Sequence, residues 1–165
     1  MKEETLLKEI QKCYFYKDKY KNLLEQYENV IILGNGGSSS IASHITQDYT
    51  KKLSKRSYTF SDASRLTCYS NDYGYEDAYR VFLSEFAEKD TLVVLISSSG
   101  NSKNIFNCAE WCEENSIHTV TLTGFMENND LKNKQMKSRK INFWVDSSDY
   151  GVVECVHMIF LHMVV

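Results

Sequence analysis

Val30-Ile31-Ile32-Leu33 runs into Gly34-Asn35-Gly36-Gly37-Ser38-Ser39-Ser40, and Leu92-Val93-Val94-Leu95-Ile96 runs into Ser97-Ser98-Ser99-Gly100-Asn101-Ser102. Twice the chain passes from apolar β-formers to a cluster of Gly, Ser and Asn. Glycine permits positive φ and close approach of backbone to a ligand. The first turn of a following helix leaves N–H groups unpaired and carries partial positive charge. Loops of this kind suit an anion, and phosphate above all. One such loop is a weak signal, because serines also cap helices: Ser99 or Ser102 is expected to cap a helix beginning near Lys103. Two at strand ends of one small domain are stronger, since parallel sheets bind ligands beyond the carboxyl ends of their strands.

Outward from these loops, strand-like runs at Val30 to Leu33, Tyr58 to Ser61, Thr91 to Ile96, His118 to Leu122 and Ile141 to Val145 alternate with helical spacing. The helical segments are Ile41 to Lys52, Glu76 to Ala87 and Lys103 to Glu114. Alternation of this kind predicts an α/β fold, a parallel sheet with crossover helices. Continuously apolar strands imply helices on both faces. Ahead of them, Leu6, Leu7, Ile10, Cys13, Tyr14, Leu23, Leu24 and Tyr27 recur at three- and four-residue steps, which predicts one or two amphipathic helices. The 165 residues are read as one domain, residues 1–28 a helical segment and 29–165 the α/β core and C-terminal helix. There is no proline, so turns rest on Gly, Asn, Asp and Ser, most clearly at Glu127-Asn128-Asn129-Asp130.

The formal net charge of -3 argues against nucleic acid as a partner. No apolar run reaches the ~20 residues that span a bilayer, so no membrane segment is expected. Five scattered cysteines behind a polar, helix-like N-terminus read as reduced thiols in a cytoplasmic protein. Cys108 and Cys112, four apart on one helix, lack a second ligand pair and are assigned to the core.

Neither nucleotide reading of the first loop holds in detail. It lacks the Lys-Ser/Thr pair of a P-loop, and Ser39 stands where a dinucleotide fingerprint needs its third glycine. Asp62 after the second strand would be the ribose ligand of that weak alternative, and no nucleotide cofactor is expected. The second loop offers hydroxyls and amides without lysine, which suits a phosphate monoester, a sugar phosphate, held by neutral donors. His44 and Asp48 stand four apart on one helix face, a usable general base or half a metal site. On the C-terminal segment Glu154, His157 and His162 lie among apolar residues; His157 reads as a satisfied core histidine, and His162 does not.

The series Gly34-Asn35-Gly36-Gly37-Ser38, His44, Ser61-Asp62-Ala63-Ser64, Asn71-Asp72-Tyr73-Gly74, Ser97 to Ser102 and Thr121-Leu122-Thr123-Gly124, with the Tyr-Gly and His-rich C-terminal helix, resembles the sedoheptulose 7-phosphate isomerase (phosphoheptose isomerase) family. That family is a branch of the sugar isomerase (SIS) domain superfamily. The resemblance implies a three-layer α/β/α sandwich with a five-stranded parallel, flavodoxin-like sheet, and a homotetramer with active sites at subunit interfaces. The reaction implied converts D-sedoheptulose 7-phosphate to D-glycero-D-manno-heptose 7-phosphate for bacterial lipopolysaccharide, capsule or other surface glycans. Substrate contacts carried over fall on Asn35, Gly36, Gly37, Ser38, Asn71, Asp72, Ser97, Ser98, Ser99, Ser102 and Glu154. The catalytic pair falls on Asp48 as base and His162 as acid, and a zinc ion, one per subunit, on His44, Asp48, Glu154 and His162. Two positions depart from the family pattern: Asp48 replaces a glutamate and Glu154 a glutamine. Glu154 and His162 lie eight residues apart, about 12 Å along a straight helix, which asks for a bend or for a ligand from a neighbouring subunit. The apolar ending Met163-Val164-Val165 is expected to pack on another subunit or to continue into a natural tail. The other readings are a non-catalytic SIS-domain sugar-phosphate-binding regulator of the DnaA-associating type and a nicotinamide-dependent oxidoreductase on a similar sheet.

Overall fold

In the computed structural model, which describes residues 3–165, five parallel strands lie in the order β2-β1-β3-β4-β5. In chain order the elements are α1 (Glu3–Glu25), β1 (Asn29–Gly34), α2 (Gly37–Leu53), β2 (Arg56–Tyr58), α3 (Ala63–Tyr73), α4 (Tyr75–Phe86), β3 (Thr91–Ser97), α5 (Lys103–Glu114), β4 (Thr119–Thr123), α6 (Asp130–Asn133), β5 (Arg139–Trp144) and α7 (Tyr150–His162). This is the doubly wound order in which chain direction along the sheet reverses between β1 and β3. The two strands pair from Asn29↔Thr91 to Gly34↔Ile96. The Gly/Ser loops that follow them therefore lie side by side.

Strand alternation divides the core in two. Val30 and Ile32 of β1, with Leu92, Val94 and Ile96 of β3, face α1, α2 and α7; Ile31 and Leu33, with Val93 and Leu95, face α4 and α5. The three layers predicted from the sequence are thus formed, and their apolar burial is the main favourable contribution to the fold. Cys108 and Cys112 are fully buried in the second core, and burial raises both thiols. On the first side the Tyr20 hydroxyl donates to Tyr49, whose hydroxyl donates to the Leu161 carbonyl, both at 2.9 Å. That relay fastens α1, α2 and α7 together. Met163 and Val164 pack against the same core.

The N-terminal segment is one helix, with its first two residues outside those described. The second strand differs from its expected span. It is a three-residue edge strand, Arg56–Tyr58, and Phe60 leaves the sheet to stack on Phe82 at 4.7 Å. Asp62, considered as a ribose ligand, instead accepts from Arg65 N at 2.9 Å and caps α3, a helix with no buried residue that the apolar pattern did not reveal. The Glu127 to Asp130 loop is present and leads into the short α6.

His157 is fully buried on α7 and its Nε2–H donates to the Thr123 carbonyl at 3.1 Å, fastening the last helix to β4. Burial lowers its pKa to about 4. Because the folded chain holds this imidazole neutral while the unfolded chain protonates it near pH 6.5, its contribution is complete above pH 6.5 and is lost as pH falls towards 4. Chemical denaturation of His157→Gln against the wild type is expected to show a pH slope smaller by one proton in this window, about 1.4 kcal/mol per pH unit.

Candidate active site

Gly34 ends β1 where α2 folds straight back over it. A Cβ there would stand 2.6 Å from Ser38 Cβ and 2.9 Å from its carbonyl carbon, so only glycine lets the helix begin this close. Gly36 turns the chain at φ 53°. No side chain caps α2, which leaves the first-turn N–H groups of Gly37 and Ser38 for a ligand. The second loop behaves alike. Ser102 occupies the N-cap position of α5 without making a cap, so the capping expected of it is not found: its hydroxyl accepts from Ser97 Oγ at 3.1 Å. Ser99 is engaged locally by Asn101 N at 3.2 Å.

Between the loops lies a cavity of about 220 Å³ lined by Asn35, Gly36, Gly37, Ser38, Ile96, Ser97, Ser98, Ser99, Ser102, Tyr150 and Glu154. Every substrate contact carried over from the resemblance lines it except Asn71 and Asp72, which sit exposed at the end of α3 and bond to each other at 2.9 Å. Buried Ser98 Oγ has no hydrogen-bond partner. Asn35 is tied by its side chain, with Nδ2 donating to Asn104 Oδ1 at 2.9 Å and Oδ1 accepting from Asn104 Nδ2 at 2.8 Å and Tyr75 OH at 2.9 Å. Glu154 is the only acidic or basic side chain in the lining, and its carboxylate crosses the face of Gly37, where a Cβ would collide with Oε2.

Further along the same two helices, α2 and α7 join His44, Asp48 and His162. Asp48 Oδ2 is 3.5 Å from His162 Nε2 and 3.8 Å from His44 Nε2, and the imidazole rings lie 5.0 Å apart. Lys52, one turn beyond Asp48, donates to the same oxygen at 3.1 Å. That hydrogen bond is the main reason the Asp48 carboxyl is held below its usual range; the lysine and histidine charges add to it against partial burial. His162 is lowered by burial and then by His44, with Asp48 opposing, which favours a neutral imidazole. The three sequence-predicted residues meet, one ligand atom from each lying within 4.8 Å of the others, and Glu154 stands outside their cluster, beside Gly37. Buried Nε2 of His162 makes no hydrogen bond, and a set of two imidazoles and one carboxylate suits zinc, so the residues present fit the ion.

Three contributors escaped the sequence. Lys52 had a readable signal, since His44, Asp48 and Lys52 repeat every four residues on one helix face. Tyr150, in the Tyr-Gly that opens α7, lines the cavity. Asn104 had none, because an asparagine near a helix start is commonplace.

Among the described residues no helix is long and apolar enough to cross a membrane. Residues 17–124 match the SIS domain family. Over its whole length the chain is 28% identical to a phosphoheptose isomerase of Fusobacterium nucleatum, covering 84% of that protein. It is 32% identical to one from Helicobacter pylori over 86% of this chain and 76% of the relative. In fold it superposes on a phosphoheptose isomerase from Neisseria gonorrhoeae with a TM-score of 0.85 at 21% identity, over 96% of this chain and 90% of the other. On this evidence the chain belongs to the SIS domain superfamily, in its phosphoheptose isomerase branch.

Proposed function

We propose that the protein is an aldose–ketose isomerase that interconverts D-sedoheptulose 7-phosphate and D-glycero-D-manno-heptose 7-phosphate. The observation that carries this reading is the pair of helices α2 and α7, which wall the hydroxyl-lined cavity at their N-terminal ends and hold a carboxylate against an imidazole further along. The chemistry asks for a base to move a proton between adjacent carbons and a donor to the carbonyl oxygen. Asp48, kept ionised, takes the proton from C1 of the open-chain ketose and returns it to C2. The N–H of neutral His162 protonates O2 as the enediol forms, and its imidazole accepts the proton from O1 as the aldehyde appears. Lys52, its ammonium 3.1 Å from Asp48, places positive charge beside the developing enediolate. A zinc ion, when bound, would be held by His44, Asp48 and His162 and would polarise the carbonyl.

Helix rise places His162 about 12 Å from Glu154 along α7. The cavity of one copy therefore lies apart from its own acid/base group. We place the reaction between copies in a homotetramer, with the Asp48–His162 cluster of one subunit facing the cavity of another. Support comes from surface that the single chain leaves exposed. No residue of α3 is buried, Asn71 and Asp72 miss their own cavity, and Tyr14, Phe15, Tyr73 and Phe86 are exposed. The product would serve surface-glycan assembly in the cytoplasm.

Purified protein is expected to form the aldose from sedoheptulose 7-phosphate, and Asp48→Asn or His162→Gln to lower kcat at least a hundredfold; a wild type as inert as both variants that still binds the sugar phosphate would establish the regulator reading instead. Metal analysis after zinc loading is expected to show binding that His44→Ala abolishes and Glu154→Ala leaves intact. Mixing inactive Asp48→Asn with a cavity variant inactivated at Ser98 is expected to restore activity after subunit exchange, and failure to do so would place each site within one chain.

A further inference from the structure

We propose that Asn104 is a positioning residue that locks the two anion-binding loops together and so sets the width of the cavity between them. The inference rests on the isomerase reading for its kinetic consequences, and on hydrogen-bond geometry alone for the lock. Asn104 lies in the first turn of α5, two residues beyond the second loop, and is 2% exposed. Burying a primary amide is unfavourable unless its polar atoms are bonded. Its side-chain bonds run to Asn35 of the first loop, as a reciprocal pair at 2.8 and 2.9 Å. Tyr75, from the start of α4, adds a third bond to Asn35 Oδ1 at 2.9 Å.

The placement makes this more than packing. Asn35 immediately precedes Gly36, the residue at φ 53° that aims the start of α2 at the cavity. Fixing the Asn35 side chain fixes that turn, and fixing it to α5 holds the turn at a set distance from Ser97 to Ser102. The loops belong to different strands and different crossovers, so backbone pairing of β1 with β3 ends where the cavity begins, at Gly34↔Ile96. Beyond that point the Asn35–Asn104 amide pair carries the connection. Asn35 consequently serves the site through its backbone, its carboxamide oxygen being already doubly bonded. A cavity held at bound width before the substrate arrives spares the ordering cost that binding would otherwise carry.

Asn104→Asp tests the lock with little change in shape. An ionised carboxylate still accepts from Asn35 Nδ2 but cannot donate to Asn35 Oδ1, whereas its protonated form restores both bonds. At pH 8 the variant is expected to raise KM for sedoheptulose 7-phosphate about tenfold, equivalent to ~1.4 kcal/mol, with kcat within about twofold because the acid/base cluster lies elsewhere on α2 and α7. The ratio of variant to wild-type KM should fall towards one as pH is lowered through the titration of the new carboxyl. Tyr75→Phe, which removes the exposed third bond, should move KM the same way by a smaller factor. If the wild type proves inactive, calorimetric affinity for sedoheptulose 7-phosphate replaces KM. Amide exchange of residues 34–39, faster in Asn104→Asp at pH 8 than in the wild type while β1 stays protected, reads the lock whatever the reaction. Unchanged affinity together with unchanged exchange at residues 34–39 would overturn the proposal, as would a KM ratio indifferent to pH.

Discussion

Parallel pairing of β1 with β3 is the constraint on which the site depends. The two strands are separated in sequence by α2, β2, α3 and α4, yet they lie adjacent at the place where the winding of the sheet reverses. Each is buried along its whole length, so a slip in their register would move apolar side chains between the two cores and carry one loop past the other. With the pair fixed from Asn29↔Thr91 to Gly34↔Ile96, both loops emerge at one level of the sheet edge. The helices that follow them, α2 and α5, then start on opposite faces with their uncapped ends converging on one cavity. Most of what makes the cavity attractive to an anion, free N–H groups and hydroxyls without counter-charges, follows from that geometry.

The electrostatics of the cavity are unusual for a phosphate site. Its lining holds no lysine or arginine, and its single charge, Glu154, is negative. Two helix ends contribute roughly half a positive charge each, which Glu154 offsets on the α2 side where it covers Gly37. Under the proposed reaction this favours the phosphate at the second loop, from Ser97 to Ser102, and leaves the carboxylate for the hydroxyl-bearing carbons, which donate to it. Under the same reaction, positive charge near the reacting carbons comes from Lys52, away from this lining.

Sequence patterns revealed what repeats and missed what does not. Apolar runs located β1, β3 and β4 to within a residue because each is buried along its whole length, and β5, which is only partly buried, to within two; α5 was read to the residue. The edge strand was displaced because Phe60, taken as a strand residue, instead stacks in the second core on Phe82. Helix α3 was missed because its apolar face is short, Leu66, Tyr69 and Tyr73 among polar residues, and only partly buried against the second core. At the site, His44, Asp48 and His162 were legible, two of them by helical spacing and the third as a titratable group on an apolar helix. Glu154 was legible as a site residue, and its eight-residue distance from His162 already told against a shared ion in a straight helix; what the sequence did not show is the close approach of α7 that lays its carboxylate on Gly37. Asn104 and Tyr75 act through partners some 70 and 40 positions away along the chain, which no local pattern encodes.

Asp48 shows how one short side chain arranges its neighbours. The side chain is a methylene shorter than a glutamate, so its carboxylate stays close to α2 and meets groups one turn away on either side, His44 before it and Lys52 after it. Across the helix pair it meets His162. All three contacts fall on Oδ2, at 3.8, 3.1 and 3.5 Å. A metal ion held by His44, Asp48 and His162 would therefore meet the Lys52 ammonium at that carboxylate. Two cations on one carboxylate oxygen repel more strongly than solvent screens at such separations. A cation held there and the Lys52 ammonium would therefore compete wherever both drew on Oδ2. Asp48 Oδ2 is thus the acceptor that both histidines and the lysine share, which ties α2 to α7 at this point.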